Sequence, residues 1–169
     1  MHSRIYLIGF MASGKTTNGK KIAGMMGYDF IDMDHWIEEQ EGSSVAEIFK
    51  IKGEDHFRKC ETAAILELTK KENCVISTGG GAPCHGKNMQ LLNNSGLTIY
   101  LKLPPAALLS RLKKSYVDRP LMKGKSDEEM LQTIEEMLNK REAFYNQAAM
   151  IIDGLDMVSE HLVNAIQRS

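Results

Sequence analysis

Nine residues near the start, Gly9-Phe10-Met11-Ala12-Ser13-Gly14-Lys15-Thr16-Thr17, fit the pattern G-x-x-x-x-G-K-[ST] and restrict the fold more than any other stretch. Such a loop works only when a strand delivers the chain to its first glycine and a helix leads away from its lysine. The loop N–H groups and the helix N-terminus then converge on one anion. The flanking residues meet that demand, with an apolar run at 5–8 before the loop and a helical pattern from about Lys15. Short apolar runs recur at 30–31, 75–76, 97–101 and 150–152, separated by helical periodicity and followed by a last helix. Strands alternating with helices predict a three-layer α/β fold. Its central parallel sheet of about five strands carries helices on both faces, where right-handed crossovers place them.

A chain of 169 residues suits one domain, 1–169, and its 43% hydrophobic and 25% charged residues are those of an ordinary globular protein. A net charge of -1 gives no electrostatic reason to bind phosphate backbones, so nucleic acid is excluded as an expected partner. The opening apolar run is too short for a signal peptide and no window approaches a membrane span, so the expected location is cytoplasmic. Cys60, Cys74 and Cys84 fit neither a zinc pattern nor a redox pair and read as reduced thiols. The eleven methionines read as fillers of irregular core gaps.

Within the glycine-rich loop, Gly9 and Gly14 allow the tight turn, Lys15 can reach the β- and γ-phosphates, and Thr16 offers a hydroxyl to Mg²⁺. A guanine-nucleotide switch needs Asp-x-x-Gly, which occurs nowhere in the chain, and Asn139-Lys140-Arg141-Glu142 lies in a helical pattern where a guanine-reading loop would follow a strand. Asp32 and Asp34 end the second strand, where open α/β sheets place ligand-binding residues. One carboxylate suits a metal and the other an acceptor hydroxyl; alternatively, Asp34 only caps the helix that follows.

Ser77-Thr78-Gly79-Gly80-Gly81 follows the third strand and leaves the backbone bare for close approach by a ligand, or forms a flexible turn. Arg58 has Glu61 one helical turn later, which can hold its guanidinium in place or form an exposed ion pair. Arg141 follows Ile134, Met137 and Leu138 by seven, four and three residues, so it falls on the apolar stripe of its helix and requires an anionic partner unless its head snorkels to water. Residues 113–126 break the pattern with Lys113, Lys114, Asp118, Arg119, Pro120, Lys123, Gly124 and Lys125. This segment reads as an exposed loop, and as a mobile lid if phosphoryl transfer must exclude water.

These segments, with Phe30-Ile31-Asp32-Met33-Asp34, Phe57-Arg58-x-x-Glu61, Asp118-Arg119-Pro120-Leu121 and Arg141-Glu142-x-x-Tyr145, resemble shikimate kinase in order and spacing over nearly the whole chain. The resemblance implies a P-loop kinase fold similar to the nucleoside monophosphate kinases, with a substrate-binding helical region at about 33–61 and a lid at about 113–125. It implies ATP-dependent phosphorylation of the 3-hydroxyl of shikimate by a monomer, with Mg²⁺. Lys15, Asp34 and Arg119 would be catalytic. Gly9, Ala12, Ser13, Gly14, Lys15, Thr16, Thr17, Arg111 and Arg119 would bind nucleotide, with Arg111 flanking adenine. Asp34, Arg58, Gly79, Gly80, Gly81 and Arg141 would bind the acceptor, and Thr16 and Asp32 the metal, Asp32 through water. Two positions depart from the family's commonest pattern, Ala12 where glycine is frequent and Asn18 where an aliphatic residue is frequent; as long as its φ stays negative, Ala12 is expected to alter packing without loss of binding. The loop near 152–154 is also poorly matched. A kinase for another small hydroxy acid or nucleotide, and a non-catalytic nucleotide-binding regulatory module, are the competing readings.

Overall fold

The computed structural model describes residues 2–114 and 124–168. Strand β1 (Arg4–Ile8) leads into the glycine-rich loop and α1 (Lys15–Met26), and β2 (Asp29–Asp32) follows. The remaining strands are β3 (Cys74–Ser77), β4 (Leu97–Lys102) and β5 (Met150–Asp153). They form one five-stranded sheet in the order β2-β3-β1-β4-β5, and every pairing is parallel. Each apolar run in the sequence became a strand, extended by one residue or a few.

Side-chain alternation along β1 divides the core into its two layers. Ile5 and Leu7 pack with Ile22 and Ala23 of α1 and with Leu162, Val163 and Ile166 of the last helix, α8 (Ser159–Arg168). Tyr6 and Ile8 face the opposite layer, where they join Ile65, Ile134 and Leu138 in a larger cluster. A strand with both faces covered must be apolar at every position, which is why this sequence shows a continuous run and no alternation with polar residues.

The long helical stretch after β2 is three helices: α2 (Met33–Glu41), α3 (Val45–Lys52) and α4 (Glu54–Leu68). Gly42 ends the first at φ 65, and Ser44 with Glu47 starts the second through a reciprocal capping box. Residues 33–61 therefore comprise α2, α3 and the first half of α4. After β3 come a single 3₁₀ turn (Ala82–Cys84) and α5 (Asn88–Ser95).

Two further helices, α6 (Pro105–Lys114) and α7 (Asp127–Tyr145), flank the expected lid. Lys113 and Lys114 belong to the last turn of α6, so they are helical where the sequence suggested loop. Ser126 caps α7 through a capping box with Glu129, and Lys113 pairs with Asp127 across the gap between the helices. Arg119 and Pro120 lie outside the described residues. The stripe on α7 is as expected, with Ile134 and Leu138 buried and Met130 and Met137 packed against them.

β1 is flanked by β3 and β4, with the chain moving first to one side and later to the other. The crevice at the carboxyl ends of β1, β2 and β3 is thus a topological switch point, where open α/β sheets bind ligands.

Candidate active site

Gly14 caps α1 with φ 95, a left-handed conformation that turns the chain from the loop into the helix. Lys15 is buried, and its Nζ donates to the carbonyls of Gly9 at 2.9 Å and Phe10 at 2.8 Å. Its ammonium is therefore fixed across the loop that its own residue closes. Thr16 and Thr17 occupy the exposed first turn of α1, and buried Ser13 donates its main-chain N–H to Phe10 O at 3.2 Å. The condition of a negative φ is not met at Ala12: its φ is 61, so the one alanine in the loop adopts the conformation in which a Cβ is unfavourable. The loop's path is dictated by its hydrogen bonds and by the flanking strand and helix, which outweigh a preference of about 1–2 kcal/mol.

The alternative reading of Asp34 as a helix cap is overturned, because the cap is Asp32. Asp32 Oδ1 accepts from the backbone N–H of Asp34 at 3.2 Å and of His35 at 3.5 Å. Its other oxygen, Oδ2, accepts from Thr16 Oγ1 at 2.9 Å. Ser77 Oγ, at the end of β3, lies 3.5 Å from the same threonine hydroxyl. A hydroxyl and a carboxylate meeting beside the phosphate loop are the hard oxygen donors that suit Mg²⁺. Asp34 sits in the first turn of α2 and faces the glycine run after β3.

That run organises the other half of the site. A Cβ on Gly79 would lie 2.8 Å from Glu61 Oε1 and 2.9 Å from Asp34 Oδ1. On Gly80 it would lie 3.3 Å from Arg141 Nη1 and 3.5 Å from both Gly9 O and Met11 N, and on Gly81 only 2.5 Å from Arg58 Nη1. Three successive bare backbone positions thus receive a carboxylate pair, a guanidinium beside the phosphate loop, and a second guanidinium. Side chains at these positions would displace the charged groups on which the pocket depends.

Arg58 is held on both sides, Nη1 donating to Glu61 Oε2 at 2.8 Å and Nη2 to Glu54 Oε1 at 2.8 Å. Burial pushes the Glu61 carboxyl up to about 7, against the opposing pull of Arg58 and with help from the charge of Asp34. Arg141 lies over the Phe10 ring, 5.6 Å from its centroid. Among the described residues no carboxylate comes within salt-bridge distance of it. Tyr145, one turn further along α7, is fully buried and donates its hydroxyl to Gly80 O, tying α7 to the glycine run.

Arg111 of α6 donates to Ser13 O at 3.1 Å and to Gly154 O at 3.2 Å, so it joins the glycine-rich loop to the segment after β5. Asn18 donates to Gly14 O at 2.9 Å and supports the first turn of α1. Ser77, Tyr145 and Phe10 received no role from the sequence. Ser77 had a usable signal, since it ends the strand beside the one bearing Asp32. The contacts of Tyr145 and Phe10 join residues far apart in the chain and left no local trace.

A parallel sheet with a phosphate loop at its switch point, faced by a pocket of carboxylates and guanidinium groups, defines a P-loop kinase. Within that class the shikimate kinase family model matches residues 11–169. The chain belongs to the shikimate kinase family. It is 42% identical over 166 residues to the shikimate kinase of Parabacteroides distasonis, covering 98% of this chain and 96% of that one. The crystal structure of shikimate kinase from Bacteroides thetaiotaomicron superposes with a TM-score of 0.92 at 40% identity, covering 99% of this chain and 98% of that one. Shikimate kinase from Acinetobacter baumannii in complex with shikimate gives a TM-score of 0.84 at 34% identity, covering 98% and 91% of the two chains.

Proposed function

We propose that this chain transfers the γ-phosphoryl group of ATP to the 3-hydroxyl of shikimate, giving shikimate 3-phosphate and ADP. One observation carries the reading: Gly79, Gly80 and Gly81 receive Asp34, Arg141 and Arg58 in turn, with Gly80 against the phosphate loop. A small acid bound there would meet two guanidinium groups for its carboxylate and a carboxylate for its hydroxyl. This arrangement suits a hydroxylated acid better than a nucleotide acceptor.

In the reaction the acceptor oxygen forms a bond to the γ-phosphorus, the bond from that phosphorus to the β–γ bridging oxygen breaks, and the hydroxyl proton passes to Asp34. Gly9, Ala12, Ser13, Gly14 and Thr17 would cradle the phosphates, Lys15 would follow the charge that develops on them, and Arg111 would flank adenine. Thr16 and Asp32 would hold Mg²⁺, Asp32 through water; bound there, the ion would neutralise phosphate charge. Residues 33–61 would form the acceptor-binding region and 113–125 the lid, from which Arg119 would close over the transferring group. The proposed protein is a cytoplasmic monomer that binds no nucleic acid, and no described helix is long and apolar enough to cross a membrane.

The test is ADP release from Mg-ATP by the purified protein supplied with shikimate, gluconate or nucleoside monophosphates. Rapid release is expected with shikimate alone. Equal turnover with either of the others would reject the assignment.

A further inference from the structure

A second group of chemically capable side chains lies outside the phosphoryl-transfer site. His56 and Cys60 stand four residues apart on α4 and so share one face of that helix. Glu41, the last residue of α2, reaches the same place. Its Oε2 lies 3.0 Å from His56 Nε2, and its Oε1 accepts from Cys60 Sγ at 3.4 Å. All three potential ligand atoms fall within 4.8 Å of one another, and each residue is partly buried.

The geometry points to a zinc-type divalent metal site formed by Glu41, His56 and Cys60. Zinc bonds of about 2.0–2.3 Å in a tetrahedron separate neighbouring ligand atoms by roughly 3.3–3.8 Å, inside the range these three atoms already span. One imidazole, one thiolate and one carboxylate form a mixed nitrogen, sulfur and oxygen set, which favours zinc over the hard Mg²⁺ of the nucleotide site. Three protein ligands leave a fourth position for water.

Lys52 Nζ pairs with Glu41 Oε2 at 2.7 Å and is the competitor that a metal must displace. Lys52 is itself exposed, and exposed ion pairs contribute little. On binding, a metal–sulfur bond forms, Cys60 loses its thiol proton to solvent, and His56 coordinates as the neutral ring. Because the ligands come from α2 and α4, the metal would cross-link the helices that carry Asp34 and Arg58.

The reduced, metal-free full-length protein would be titrated with Co²⁺, a spectroscopic substitute for Zn²⁺. A thiolate-to-cobalt charge-transfer absorption saturating at one equivalent and bleached by Zn²⁺ is expected. Cys60→Ser should abolish the band, Cys84→Ser should keep it, and folded His56→Gln should weaken Zn²⁺ binding by more than about a hundredfold, beyond the usual outer-shell effect. Zn²⁺ should also raise the Tm of the unaltered protein and not that of Cys60→Ser. A band that never forms, or one that survives Cys60→Ser, would overturn the site.

Discussion

In the proposed site the donor side is built around the main chain of one loop, and the acceptor side around charged side chains gathered on a glycine run. The phosphate loop spans consecutive residues, and its shape resides in dihedral angles such as those of Gly14 and Ala12, with Lys15 bonded to carbonyls of the same loop. The proposed acceptor pocket draws Asp34 from α2, Arg58 and Glu61 from α4, the glycines from the end of β3, and Arg141 from α7. Its side chains are charged, with Glu61 buried and Asp34, Arg58 and Arg141 partly buried, and they converge on the glycine run from three helices. The donor side should therefore respond chiefly to changes in backbone freedom, and the acceptor side to changes in charge or side-chain geometry.

Asp34→Asn tests this contrast most severely. The amide preserves size but cannot take the hydroxyl proton, so kcat should fall about a hundredfold or more while ATP binding persists. Near-normal turnover in the folded variant would remove Asp34 from the chemistry. Next in size is Arg141→Lys, which keeps the charge and loses the planar fork. Loss of one charge-assisted hydrogen bond, about 1.5 kcal/mol or more, should raise KM for shikimate about tenfold and leave KM for ATP nearly unchanged. An unaltered shikimate KM would assign Arg141 to packing on Phe10 alone.

Glu61→Gln sharpens the comparison through pH. The carboxyl titrates at about 7 in the folded protein against an ordinary value of 4.5. The folded state therefore keeps a proton that the unfolded chain has released, and this contribution to stability is complete below 4.5 and lost as pH rises through about 7. Unfolding measured across that window should show a decline of up to about 1.4 kcal/mol per pH unit from this group, absent in Glu61→Gln. Identical pH profiles would mean that Arg58 holds Glu61 ionised throughout. The smallest expected effect is on the donor side. Ala12→Gly relieves the positive φ but frees the unfolded chain, so stability should change by about 1 kcal/mol or less, with kcat and shikimate KM preserved. A shift in shikimate KM would show that the two halves are coupled through Gly80.

By itself the sequence determined the strands, the phosphate loop and the residue types of the pocket. Each of these rests on short-range physics: apolar runs for buried parallel strands, and glycine spacing for a loop between strand and helix. Asp34 was legible as a carboxylate at a strand end, Arg58 through Glu61 one helical turn later, and Arg141 as an arginine on an apolar stripe that needs a partner. The Glu61 partner of Arg58 was legible from helical spacing, but the surroundings of Asp34 and Arg141 were not. That Asp32 and not Asp34 caps α2 depends on where β2 ends, and that Glu61 is buried beside Asp34 and Tyr145 holds Gly80 depends on which elements pack together. The φ of Ala12 likewise follows from the loop's closed path and opposes the residue's own preference. Only the tertiary structure could decide these points, because burial and long-range hydrogen bonds outweigh local preferences of about 1 kcal/mol.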